Sequence, residues 1–506
     1  MLCVSLAFAL HTLTGGTVPA PSDAAARDLI ETAVARMGGR AALESLATVR
    51  LDAIGYRNLL EQSERPEGPW IPQIEKTTEL WDTPGGRWDE TAELAIAGDT
   101  YAIRTVVAGG VAARRFGEKW SAAGKGEVAA AEEWMADSPQ RALLDALAAS
   151  DLRIEADLVF QGVPHHAAAF GSGEKRRRLL LNAETGFLTA VETLRAYPED
   201  RFWQVWGEVP TRVAYSFWEL RPGGLVYPSQ WDVERGGRPW RSLTLTGLKP
   251  SPSFPADAFA IPASVADAAR ENANRSLDDP VLGSASRPRP AVELAPGVVV
   301  IPGSWSIALV RQTDGVVVLE APISTGYSAR VLDEARRRFP DLPVKAVVST
   351  SDSWPHFGGI REYAARGIPI YLLDRNVPQI RRALESPHGS HPDALARAPR
   401  EAQLHPVSGP TTIGSGDNRI VLHPVRGETG ERMMLAFLPG RGILYASDLY
   451  QAGQNGPPEY VWEVTEVARR ERLDVKTVFA MHSDPVPWET LLAIVETARK
   501  PAASGN

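Results

Sequence analysis

Short runs of alternating apolar and polar residues fill most of the first half of the chain. They read ATVRLDAIGY, KTTELWD, DTYAIRTVV, LRIEADLVF, KRRRLLLN, FLTAVETLRAY, TRVAYSFWEL and RSLTLTGLK. A period of two gives each run one face for a core and one for water, which is the signature of half-buried strands. Turn chemistry such as Pro84-Gly85-Gly86 and Pro222-Gly223-Gly224 separates several of them. Residues 24–39 and 139–149 show the longer helical period instead, the first ending at Gly38-Gly39. The pattern predicts a large antiparallel sheet with a few helices over residues 23–262.

The pattern changes after Phe254–Ile261. Residues 263–290 are rich in Ala, Asn, Ser, Arg and Pro with little periodicity, and read as a linker with room for a short helix. From Val298 onward, continuous apolar runs (GVVVIPG, SIALVRQ, GVVVLEAP, VKAVVST, PIYLLD, IVLHPV, MMLAFLP, GILYASDL, VKTVFAMH) interleave with helical segments. Runs without alternation belong to strands buried on both faces. The fold class is therefore α+β in two domains, the second, over 291–503, being a sheet layered with helices.

Composition adds limits. The chain has 506 residues with 44% hydrophobic and 23% charged positions, ordinary for globular protein, and a net charge of −8 that argues against general nucleic-acid binding. Met1 to Leu10 (MLCVSLAFAL) is too short to span a bilayer and is followed by small residues and Pro, like a secretory signal peptide over 1–22. This pattern predicts export, to the periplasm or outside the cell. Its removal would take away Cys3, the one cysteine, and with it any disulfide, thiolate metal ligand or Cys nucleophile. No later stretch is long and apolar enough for a membrane helix.

The chemistry gathers at strand ends. VKAVVST runs into Ser351-Asp352-Ser353-Trp354-Pro355-His356-Phe357-Gly358-Gly359. This resembles metallo-β-lactamase-fold hydrolases, whose hallmark is a strand ending in T-H-x-H-x-D-H-x-G-G before a helix. Aligned on the Gly pair, Ser351 and Ser353 stand where two His would be and Pro355 where an Asp would be, while His356 matches. Gly427-Glu428-Thr429-Gly430 resembles the family's G-H-T-x-G turn, with Glu428 in the His position. Leu444 to Asp448 is similar to the strand ending in a metal-bridging Asp, and Ala480-Met481-His482 to the last ligand strand. The resemblance implies an αββα sandwich over about 210 residues in which the first metal position is lost. The second is reduced to His356, Asp448 and His482.

Three ligands and an open position suffice for one zinc ion that ionises bound water. Two His and a carboxylate also suit iron, and manganese remains an alternative. Glu428 is a fourth ligand or a general base on this reading, with Asp448 the other catalytic candidate. The competing reading is a metal-free polar crevice in a non-catalytic envelope protein that binds an apolar or lipid-like ligand. His388, His391 and His405 belong to a loop insertion and His423 to a packed strand.

Met37-Gly38-Gly39-Arg40 and Leu181 to Gly186 resemble bacterial lipoprotein-carrier-like domains. That likeness implies a half-barrel-like antiparallel sheet over helices, with a concave apolar face. Ten of the 14 Trp precede the linker. They either line such a concavity or fill the core of a large sheet. The substrate expected is a small molecule or an apolar envelope component.

Overall fold

The computed structural model describes residues 23–62, 65–96, 98–273, 275–278, 290–451 and 458–500. The signal-peptide expectation lies outside these residues.

The first domain is built on one 13-stranded antiparallel sheet. Its first strand in the chain, Thr48–Asn58, pairs with Pro72–Asp82 on one side and with the last, Arg238–Pro250, on the other. Successive strands then add outward to Lys119–Ala122 at one edge and Arg153–Phe160 at the opposite edge. Because the first and last strands of the sheet lie side by side, the whole segment from 48 to 250 is closed into a single unit. Helices Ala24–Arg36, Lys125–Ala136 and Pro139–Ala148 bury their apolar sides against one face. Trp81, Trp134 and Trp231 pack there, with ring centroids 5.1 Å apart for Trp134–Trp231 and 6.4 Å for Trp81–Trp231. One carboxylate oxygen of Glu79 accepts the indole N–H groups of Trp81 (2.7 Å), Trp88 (3.0 Å) and Trp134 (3.0 Å). These buried donors are thereby satisfied, and the helix is tied to the sheet. Within the stretch read as linker, Ala263–Ala273 is a helix whose Ala266 and Ala269 pack on Val111 near the edge of this sheet.

The second domain has two sheets face to face. The seven-stranded one runs from Val292–Ala295 to Leu404–Val407, and the six-stranded one from Thr411–Ile413 to Ser483–Pro487. Val298, Ala308, Leu319 and Val348 from the first meet Leu422, Ala436, Tyr445 and Phe479 from the second. Helices Thr325–Arg338 and Val377–Glu385 cover the outside of the first sheet, and Pro458–Arg470 and Trp488–Arg499 the outside of the second. The layers are thus α, β, β, α, and strands such as Val316–Leu319 are buried at every residue because both faces are covered.

The two domains share one apolar cluster that includes Leu60, Trp203 and Trp206 from the first and Trp305, Trp354, Phe357 and Met481 from the second. Trp354 sits between Trp203 (4.8 Å) and Trp206 (5.0 Å) in edge contacts. Gln204 Nε2 donates to the carbonyls of Ile323 (2.8 Å) and Gly358 (3.1 Å). Arg65 and Glu67, between the strands Thr48–Asn58 and Pro72–Asp82, add Arg65–Glu431 and Glu67–Arg432 ion pairs, each 2.9 Å. Ser386–Ser390 of the His-containing insertion also docks on the first domain, with the Glu208 carboxylate accepting from the Ser390 hydroxyl at 2.8 Å.

Candidate metal centre

The site forms where strands of the second domain end. Val344–Ser349 leads into a short turn, Trp354–His356, which Pro355 pre-sets through its fixed φ. His356 is carried inward by this turn and is 2% exposed. Ile443–Tyr445 and Thr477–Ala480 run parallel, with Tyr445 opposite Phe479, so their C-terminal ends open at the same level. Asp448 follows the first and His482 the second. Ser447 has φ +55°, a left-handed backbone uncommon in non-Gly residues, and this redirects the chain at the Asp448 position. The turn is held by Ala446 N–H to Phe479 O (2.8 Å) and Met481 N–H to Ser447 O (2.8 Å).

His356, Asp448 and His482 each bring a ligand atom into a group spanning no more than 4.8 Å. His356 Nε2 lies 3.5 Å from Asp448 Oδ2, and His482 Nε2 lies 3.2 Å from Asp448 Oδ1. Ligand atoms around one tetrahedral zinc stand about 3.3 Å apart, given bonds of about 2.0–2.1 Å. The chemistry of the donors fits a cation as well. His482 Nδ1 is hydrogen-bonded to the carbonyl of Ser304, which has no proton to give, so Nδ1 carries the hydrogen. Its Nε2 therefore meets a carboxylate with a bare lone pair unless a second proton or a metal ion lies between them.

The electrostatics agree. Burial works against charge on His482, but the Asp448 hydrogen bond and charge, with the Ser304 carbonyl, raise its pKa overall. Burial would raise Asp448, yet His356, His482 and the Gln451 amide (3.0 Å) hold it below the usual carboxylate range. Burial lowers His356 to about 4 despite the Asp448 charge, so that ring is neutral near pH 7. Its Nδ1 is buried and has no hydrogen-bond partner among the described residues, whereas the His482 ring is oriented by the Ser304 carbonyl.

Beneath the group lies an acid that the strand pattern did not single out. Glu320 ends the run VVVLE at φ +76° and is 0% exposed. Burial pushes its carboxyl up to about 8, against hydrogen bonding from Thr350. The Thr350 hydroxyl contacts both Glu320 and the Ser447 hydroxyl, the latter at 2.7 Å. The signal available in the sequence was a lone acid closing an otherwise apolar strand.

The remaining sequence candidates go elsewhere. Glu428, expected as a fourth ligand or general base, is not brought to the group. Its side chain is 88% exposed and makes an ionic contact with Arg65 at 3.8 Å. The turn that carries it is pinned from behind, since Glu463 accepts the N–H groups of Thr429 (2.9 Å) and Gly430 (2.6 Å). Ser353 donates to the Glu61 carbonyl at 3.0 Å, and Ser351 Oγ accepts Ser353 N–H at 3.2 Å, so both serines serve the loop and the seam. Asp352 is buried and raised to about 7 by that burial, with Arg432 opposing it. His388 is lowered to about 4 by burial at the seam, and His423 is 5% exposed.

No protein-family profile and no curated protein matches the chain. Solved structures do. A metallo-β-lactamase from Hirschia baltica is 16% identical over 43% of this chain and 100% of its own, at a TM-score of 0.33. The metallo-β-lactamase FIM-1 from Pseudomonas aeruginosa in the mono-zinc form is 16% identical over 42% and 95%, at 0.32. A metallo-β-lactamase from Pontibacter korlensis is 14% identical over 42% and 99%, at 0.32.

Proposed function

We propose that this protein is an exported metal-dependent hydrolase that uses at most one metal ion, held by His356, Asp448 and His482. The observation that carries the reading is the convergence of two imidazoles and a carboxylate within 4.8 Å, with His482 Nε2 facing the carboxylate. A bound zinc would supply Lewis acidity and a water of lowered pKa. The protein's own part is to keep His356 neutral, to keep Asp448 ionised as an acceptor for the proton of water, and to fix the His482 ring through Ser304.

The test is a screen of chromogenic esters with the zinc-loaded full-length protein. Hydrolysis should fall by roughly 100-fold or more in His482→Ala and after chelation. Turnover that survives both treatments contradicts the reading. The open groove lined by Pro69, Trp70, Ile71, Ile74, Ala95 and Ile96 supports the second reading, a binding protein for an apolar ligand. In that case, lipid co-purifies equally with wild type and His482→Ala, and no ester is turned over.

A further inference from the structure

The first domain presents one cation at the edge of this site. The turn 200–204 is built to hold still. Asp200 accepts the N–H groups of Phe202 (2.8 Å) and Trp203 (3.2 Å), and Gln204 ties the turn to the second domain. Arg201 projects from it and is exposed. Its guanidinium lies over the Trp305 ring, 5.4 Å from the centroid. Trp305 in turn meets the His482 ring edge-on at 5.8 Å. The segment 304–306 carries that indole and orients His482 at once, since Ser304 O receives His482 Nδ1–H and Ser306 N–H donates to Met481 O at 2.7 Å. The distance from Arg201 to the metal ligands is therefore set by one fixed indole.

Arg201 has no carboxylate of its own. The neighbouring acids are committed, Asp200 to the backbone of its turn and Glu199 to Lys125 at 2.9 Å. The seam arginines Arg65 and Arg432 are paired, whereas Arg201 makes no ion pair or hydrogen bond among the described residues. Trp305 adds a buried indole N–H that likewise lacks a partner. A guanidinium held over an aromatic ring by its cation–π contact keeps its N–H fork available for a planar or tetrahedral oxyanion.

We infer that Arg201 is a substrate-binding residue, and that the site takes oxyanionic substrates. A carboxylate, phosphate or sulfate group would rest on Arg201 and Trp305 while the scissile bond lies at His356, Asp448 and His482. This rests on the hydrolase reading for the position of the bond, but the anion site itself is separable from it.

The experiment is calorimetric titration of the full-length, metal-free protein at low ionic strength with benzoate, phenyl phosphate and neutral benzamide. Saturable binding of one or both anions is expected, with benzamide at least roughly tenfold weaker. Arg201→Gln should weaken anion binding by about tenfold, leave benzamide unchanged and leave the melting temperature in place. The ratio of benzoate to phenyl phosphate affinity identifies the preferred oxyanion. Anion affinity equal in Arg201→Gln and wild type, benzamide binding as well as benzoate, or no saturable anion binding to wild type would each overturn the inference. Zinc titration of the same samples is read separately. Loss of zinc binding with intact anion binding removes the hydrolase reading and leaves the oxyanion site standing.

Discussion

At His482 one ring nitrogen faces a carbonyl and the other a carboxylate, so the side chain has two acceptors and one proton when neutral. Either a second proton or a metal resolves this. At Glu320 the cause is burial. Thr350 donates its hydroxyl and its backbone N–H to one carboxyl oxygen, and the Ser447 hydroxyl can supply the proton of the Thr350–Ser447 bond, but loss of solvent outweighs these contacts and favours the neutral acid. With a folded pKa of about 8 against an ordinary 4.5, the folded state keeps a proton that the unfolded chain releases. Stability must then fall as pH rises between those values, by up to about 1.4 kcal/mol per pH unit for one proton. Glu320→Gln should flatten that slope in denaturant titrations at pH 5, 6.5 and 8, and be the more stable protein at pH 8. A wild-type stability that rises across this window contradicts a neutral Glu320. His356, Asp448 and His482 could be singled out in the sequence because each falls in a short motif, after an apolar strand, that resembles a metal-binding one, and the structure brings the three together. Glu320 could not, because an acid closing an apolar run reads only as the end of a strand.

Among the elements, the turn Trp354–His356 links the site to the seam. Trp354 is 2% exposed between Trp203 and Trp206, and Pro355 stiffens the turn between that anchor and His356. Trp354→Ala should cost about 3–5 kcal/mol in chemical denaturation. It should also weaken metal binding, because among the described residues nothing hydrogen-bonds His356 Nδ1 to hold its ring. A loss of stability with unchanged metal affinity would show that the turn positions His356 without its anchor. The succession of strands and helices along the second domain could be read from apolar runs and loop motifs, whereas the order of strands within its two sheets could not. The placement of Glu428 could not, since Glu463 and Arg65, which hold its turn and meet its side chain, lie far away in sequence. Nor could the roles of the tryptophans. Trp81, Trp134 and Trp231 fill a core, while Trp203 and Trp206 pack on Trp354, and composition does not separate the two groups.

Over the whole molecule, the shared cluster around Trp206, Trp305 and Trp354 makes the first domain part of the site's surroundings. The first domain contributes Glu61, whose carbonyl takes the Ser353 hydroxyl, and Arg65, which meets Glu428 and Glu431. Ser353 and Glu428, two positions where the resemblance implied ligands of a first metal, thus contact the first domain instead, and among the described residues one group of candidate ligands is brought together. Zinc titration of the chelator-stripped, full-length protein at pH 7.5, with bound metal counted by mass spectrometry after dialysis, tests this most directly. One zinc per chain in wild type, and none in His482→Ala at the same melting temperature, is the expected result. Two zinc ions per chain, none, or one that persists in His482→Ala would contradict it.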